Sequence, residues 1–183
     1  PAVFTLANQQ KLLPILFEAA RATPAAGENA ALFAVTKQQV IGQVLNQTVR
    51  SAEFADLYRK LRSAGLHPIV VKGQLCSRLY PLKDHRISAD DDLYISDAEF
   101  MACHKQLLAN GLTIDTPVDE LATADEVSYT KNGSPLYIEL HRHLFDSSED
   151  THDELNHFFT DLKPIEVDGF LTMPPHEHLL YLI

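Results

Sequence analysis

Asp90-Asp91-Asp92-Leu93-Tyr94-Ile95 is the stretch whose reading settles the architecture of this chain. An apolar, β-prone run follows directly on three acids, which reads as a strand with carboxylates at its entrance. Side chains two apart on a strand share a face about 6.6 Å apart, at roughly 3.3 Å per residue, so Asp90 and Asp92 face the same way. At an effective dielectric of about 20 and a separation near 6 Å, their repulsion costs on the order of 2 to 3 kcal/mol. That is large against a marginally stable fold, and a divalent cation held by oxygen ligands would offset it directly. The competing reading is a solvated acidic loop in which water and salt screen the charges.

Outward from this stretch, strands and helices alternate. His67-Pro68-Ile69-Val70-Val71 is a buried strand, followed by Lys72-Gly73 and a helix-like segment carrying Leu75 and Leu79 that Pro81 ends. A polar loop, Lys83 to Ser88, leads into the acidic strand. Ser96-Asp97-Ala98-Glu99 has the capping-box pattern, and Phe100, Cys103, Leu107 and Leu108 form the apolar face of a helix closed by Asn110-Gly111. Asn132-Gly133 between Glu126–Thr130 and Leu136–His141 predicts a hairpin. Two more short strands are expected at Pro164–Val167 and Phe170–Met173 around Asp168-Gly169, with a helix starting near Pro174-Pro175. Residues 1–65 read as helices: one stripe is Leu12, Leu13, Leu16, Phe17 and Ala20, a second runs from Leu32 to Val49, and a third from Phe54 to Leu61. The expected organisation is an N-terminal helical region, 1–65, and a core, 66–183, whose last helix is cut short. The chain starts at Pro1 without a methionine and stops at Leu180-Tyr181-Leu182-Ile183 inside an apolar pattern, as a segment of a longer protein would.

Composition narrows the functional classes. In 183 residues, 45% are hydrophobic and 22% charged, the balance of a globular domain rather than a disordered or disulfide-stapled one. No run approaches the roughly 20 apolar residues of a spanning helix, and Gln9, Gln10, Lys11 and Pro14 interrupt any secretion signal. Fifteen Lys and Arg against 25 Asp and Glu give a net charge of −10, which argues against long nucleic acid as a partner. Cys76 and Cys103 match no zinc or redox spacing and read as reduced thiols of a cytoplasmic protein.

A two-metal phosphoryl site needs a third carboxylate. Glu139, in the otherwise apolar strand Leu136-Tyr137-Ile138-Glu139-Leu140-His141, is the candidate; its alternative is pairing with a surface cation. His141 shares its face in an orienting or ordinary polar role. Lys72-Gly73 closes a strand and opens a helix, where backbone N–H groups favour phosphate, although the segment is no P-loop. Arg86 is placed to reach a triphosphate or to pair with Asp84 or an acid of the triplet. The pairs His141-x-His143 and His176-x-His178 admit a zinc reading without any cysteine beside them. No Gly-x-Ser-x-Gly elbow supports covalent catalysis.

Val70-Val71-Lys72-Gly73, Leu79-Tyr80-Pro81, Arg86, Asp90-x-Asp92-Leu93 and Glu139-Leu140-His141, in this order and spacing over roughly residues 30–183, resemble the uncharacterised nucleotidyltransferase family of the polymerase-beta-like superfamily. The resemblance implies an α+β fold, a nucleotidyltransferase-like mixed β-sheet core with flanking helices. It implies Asp90, Asp92 and Glu139 as ligands of Mg²⁺ or Mn²⁺, and Lys72, Gly73, Gln74 and Arg86 at the nucleotide. The implied reaction moves a nucleoside monophosphate from a triphosphate to an acceptor hydroxyl of a small molecule or protein, releasing pyrophosphate. Gln74 stands where the superfamily usually has serine, Glu139 where aspartate is common, and Asp91 where an apolar residue points into the core. Asp91 must therefore find a partner, twist outward or weaken the strand. Asp91 and Gln74 are the features that favour the alternative, a catalytically silent nucleotide-binding or partner-binding module of the same fold.

Overall fold

A computed structural model describes residues 2–117, 119–145, 152–159 and 161–182; Pro1 and Ile183 at the two ends lie outside these. The chain forms two compact units, residues 1–52 with 76–89, and residues 53–75 with 90–183.

The first unit is helical: α1 (Ala2–Gln9), α2 (Leu13–Arg21), α3 (Pro24–Glu28) and the beginning of α4 (Ala30–Ser63). Pro14 sits in the first turn of α2, where its missing N–H costs nothing. The Thr23-Pro24 break is a helix start, with Thr23 extended and Pro24 opening α3. The second and third apolar stripes, expected as separate segments, are one 34-residue helix. The link between them, Arg50-Ser51-Ala52-Glu53, holds no proline or glycine to interrupt the backbone ladder. Ala7, Leu13, Phe17 and Val40 form this unit's small core. Its loop is strapped to α4: Arg50 Nη1 donates to the Ser88 carbonyl at 3.1 Å, the Ser88 N–H donates to Gln47 Oε1 at 3.0 Å, and Thr48 Oγ1 donates to Asp84 Oδ2 at 2.7 Å.

The second unit is built on β1 (Ile69–Val71), β2 (Asp91–Tyr94), β3 (Glu126–Thr130), β4 (Tyr137–His141), β5 (Ile165–Val167) and β6 (Phe170–Thr172). These make one mixed sheet in the order β3-β4-β2-β1-β6-β5. The hairpins predicted at Asn132-Gly133 and Asp168-Gly169 both form, with Gly133, Asp168 and Gly169 at positive φ. The fold is thus the mixed α+β arrangement expected, with a six-stranded sheet and flanking helices. The helix after β1, α5 (Gly73–Ser77), is only five residues long. The helix after β2, α6 (Asp97–Ala109), starts where the capping-box pattern placed it, but Ser96 makes no side-chain cap bond. Glu99 instead takes the His67 backbone N–H at 2.9 Å and lies 2.8 Å from His67 Nδ1. Two further helices are α7 (His152–His157) and α8 (Pro175–Leu182).

One face of the sheet is the main core. Val70, Leu93, Ile138, Leu140, Val127 and Tyr129 pack with Phe100, Cys103 and Leu107 of α6 and with Phe54, Leu57, Tyr58 and Leu61 at the end of α4. The Tyr58 hydroxyl, buried here, donates to the Pro68 carbonyl at 2.9 Å and accepts the Leu171 N–H at 2.8 Å, so burying it costs little. Cys103 is fully buried, and burial pushes its thiol up to about 12, leaving it inert; Cys76 is half-buried. The other face carries a smaller cluster, Ile69, Val71, Leu144, Phe159, Met173 and Tyr181. Among the described residues, no helix is long and apolar enough to cross a membrane.

Candidate functional site

The site lies on the less apolar face, and strand register assembles it. β2 and β4 run parallel with Asp92 directly opposite Glu139 and Tyr94 opposite His141. Alternation along the strands then aims Asp92, Glu139 and His141 to one side. One ligand atom from each of the three lies within 4.8 Å of the others, the sole such grouping among the described residues. His141 Nε2 is 3.2 Å from Asp92 Oδ1 and 3.9 Å from Glu139 Oε2, while its Nδ1 is 3.6 Å from Glu126 Oε2. Asp90 immediately precedes β2, and its charge is felt by both Glu139 and Lys72.

Electrostatics divides the carboxylates. Burial works against the Asp92 charge, but the His141 hydrogen bond and the Lys72 ammonium outweigh it and hold Asp92 below the usual carboxylate range. Glu139 goes the other way: burial, with the charges of Glu126, Asp90 and Asp92, pushes it up to about 7. Glu139 thus gives up its proton less readily than an isolated carboxyl, the behaviour of crowded carboxylates. Two carboxylates and an imidazole in reach of one point fit a small divalent ion, with oxygen donors suiting Mg²⁺ or Mn²⁺ and the imidazole tolerated by Mn²⁺.

Lys72 and Gly73 form the turn out of β1 at φ +50° and +23°. A left-handed conformation at a lysine costs on the order of 1 to 2 kcal/mol and needs outside support. Space is also tight at Gly73: a Cβ there would stand 3.1 Å from Asp91 Oδ1. Lys72 Nζ is 3.8 Å from Asp92 Oδ1 and 4.7 Å from the Tyr181 ring centroid. Burial opposes its charge, yet the Tyr181 hydroxyl and the Asp92 and Asp90 carboxylates outweigh this and raise its pKa above the ordinary value.

Asp91 points to the opposite face of β2, fully buried on the side of the main core. Gln74 Nε2 donates to Asp91 Oδ1 at 3.0 Å. Two of the three residues that depart from the expected pattern thus meet each other, and the strand neither twists outward nor breaks. Arg86 follows the short 3₁₀ turn Lys83–His85 in the first unit. The zinc reading finds no support among the described residues. His143 Nδ1 pairs with Asp125 Oδ1 at 2.7 Å, His178 Nε2 accepts the Lys72 backbone N–H at 3.0 Å, and His176 lies 3.8 Å from Glu177.

A cleft of about 560 Å³ opens on this cluster, lined by Lys72, Asp125, Glu126, Glu139, His141 and Tyr181 among others. Sequence reasoning did not assign Glu126, Asp125, His178 or Tyr181 to it. His178 lies 106 residues from Lys72, so nothing local could have joined them. For Glu126, the hairpin signal held the clue, because pairing across Asn132-Gly133 sets Glu126 opposite His141.

A mixed sheet whose adjacent strands converge two carboxylates beside a glycine turn has the framework of a nucleotidyltransferase-like protein. The chain belongs to the uncharacterised nucleotidyltransferase family, whose model matches residues 1–183. The match includes the N-terminal helices, beyond the roughly 30–183 over which motifs are visible. A comparison with curated proteins gives no match.

Proposed function

We propose that the chain is a metal-dependent nucleotidyltransferase that moves a nucleoside monophosphate from a triphosphate to an acceptor hydroxyl. The observation that carries this reading is the register pairing of Asp92 with Glu139, which with His141 makes a compact donor set. Asp92 and Glu139, with Asp90 beside them, would hold Mg²⁺ or Mn²⁺, and His141 orients Asp92 through Nε2. The bound ion would supply charge neutralisation at the α-phosphate and at the departing pyrophosphate. Lys72 offers an ammonium for phosphate oxygens, and the Lys72–Gly73 turn lets backbone approach them without an obstructing side chain. Gln74 buttresses that turn through Asp91. In the reaction the acceptor oxygen bonds to the α-phosphorus, the bond from that phosphorus to the bridging oxygen breaks, and pyrophosphate leaves as the hydroxyl proton passes to solvent. The net charge of −10 favours a small molecule or a protein as acceptor over a polynucleotide.

The test is pyrophosphate release from each nucleoside triphosphate with Mg²⁺ or Mn²⁺ and acceptor pools, with Asp90→Asn and Asp92→Asn as controls. Release that both controls reduce at least a hundredfold is the expected result. Controls that match the parent in metal binding and turnover would sink the proposal. Metal-dependent nucleotide binding with no turnover from any acceptor pool would instead favour the silent module.

A further inference from the structure

The Lys72–Gly73 turn sits in a backbone conformation that lysine adopts reluctantly, and its support comes from the far end of the chain. β6 pairs with β1 in parallel, Val70 opposite Thr172, and Thr172 Oγ1 donates to the Val70 carbonyl at 3.0 Å. Met173 and Pro174 then lead straight into α8, so this register fixes where α8 begins relative to the end of β1. Two residues of α8 contact Lys72 at different atoms. His178 Nε2 accepts its backbone N–H at 3.0 Å, and the Tyr181 ring lies under its ammonium at 4.7 Å. An imidazole nitrogen that accepts must be unprotonated, and burial followed by the Lys72 charge lowers the His178 pKa accordingly. Tyr181 is itself anchored, edge-on to Phe145 and to Phe159. The ammonium is thereby held between an aromatic face and the Asp92 carboxylate, half-buried and beside the cleft.

We infer that His178 and Tyr181 are positioning residues for Lys72: His178 holds the strained turn and Tyr181 aims the ammonium at the phosphates of a nucleoside triphosphate. This rests on the proposed nucleotidyltransferase reading and adds to it a role for α8. The division of labour is specific. The backbone bond requires an acceptor at residue 178, which a glutamine carbonyl could replace and an alanine could not. The ammonium contact uses both the ring face and the hydroxyl of Tyr181; phenylalanine retains the first and loses the second, and leucine loses both.

The experiment measures Mn²⁺ affinity and then triphosphate affinity in the presence of saturating Mn²⁺, on the full chain, for His178→Ala, His178→Gln, Tyr181→Leu and Tyr181→Phe. His178→Ala and Tyr181→Leu should weaken triphosphate binding about five- to tenfold while Mn²⁺ affinity stays within twofold; His178→Gln should recover most of the loss, and Tyr181→Phe, which keeps the ring without the hydroxyl, should fall between the parent and Tyr181→Leu. A through-hydrogen-bond ¹⁵N–¹⁵N coupling between the Lys72 amide and His178 Nε2 should be present in the parent and absent in His178→Ala. The inference is overturned if the coupling is absent from the parent, if triphosphate affinity ignores the substitutions, or if Mn²⁺ affinity falls in equal proportion. Failure of the underlying reading has its own signature, Mn²⁺ affinity that ignores Asp92→Asn, and that result overturns both.

Discussion

Asp91 and Asp92 are neighbours in the chain and opposites in the fold. Both are nearly inaccessible to water, at 0% and 2% exposure. Asp91 faces the main apolar core and is matched by the Gln74 amide, whereas Asp92 faces a group of like charges and is matched by His141 and Lys72. The first carboxylate is a structural problem solved by a hydrogen bond. The second sits in a crowd of carboxylates, Glu139, Glu126 and Asp90 among them, whose charges oppose one another. The pleat of β2 makes this separation, because adjacent strand residues point to opposite faces.

The largest expected effect on the fold lies on the core face. Leu140→Ala, at a residue with no exposure, should cost about 2 to 5 kcal/mol in a denaturant titration, with Mn²⁺ affinity of the folded fraction kept. Asp91→Ala should come next, at roughly 1 to 3 kcal/mol, since it leaves the Gln74 amide without that acceptor on the core side; it too should spare Mn²⁺ binding. Asp92→Asn should reverse the pattern, lowering Mn²⁺ affinity at least about tenfold, or about 1.4 kcal/mol, while changing stability less than Asp91→Ala does. If Asp91→Ala and Asp92→Asn had the same signature in calorimetry, the contrast between the two faces would be broken.

Acidity sharpens the comparison further. Glu139 is raised to about 7, so without metal its contribution to stability is present below the ordinary carboxylate range and is lost as pH rises through about 7. Mn²⁺ must displace the proton, so Mn²⁺ affinity should fall by up to about tenfold per pH unit below about 7. Glu139→Gln should flatten that profile in isothermal titration. The smallest effect belongs to the partly exposed Glu99–His67 pair at the start of α6. There Glu99→Gln should cost no more than about 1 kcal/mol and leave metal binding unchanged.

Much of this was legible residue by residue. Asn132-Gly133 and Asp168-Gly169 announced their hairpins because a tight turn demands positive φ, found here at Gly133, Asp168 and Gly169. The β-branched run before Lys72-Gly73 and the acids before Leu93 marked the two central strands. Less legible was α4, where an apolar stripe that drifts around the helix reads as two segments although the backbone continues through Arg50-Ser51-Ala52-Glu53. Ser96 and Glu99 matched the capping pattern, yet Glu99 spends its carboxylate on His67, a partner 32 residues away.

The order of residues alone determined the family, the strand periodicity and the placing of carboxylates at strand ends, because these depend on local backbone preferences and on side-chain alternation within a few positions. Tertiary structure decided which charges meet. Only strand pairing could set Asp92 beside Glu139, only the packing of α5 could offer Gln74 to Asp91, and only the parallel β1–β6 register could bring His178 and Tyr181 of α8 to Lys72. Contacts between distant segments depend on how whole elements pack, and no local propensity encodes that.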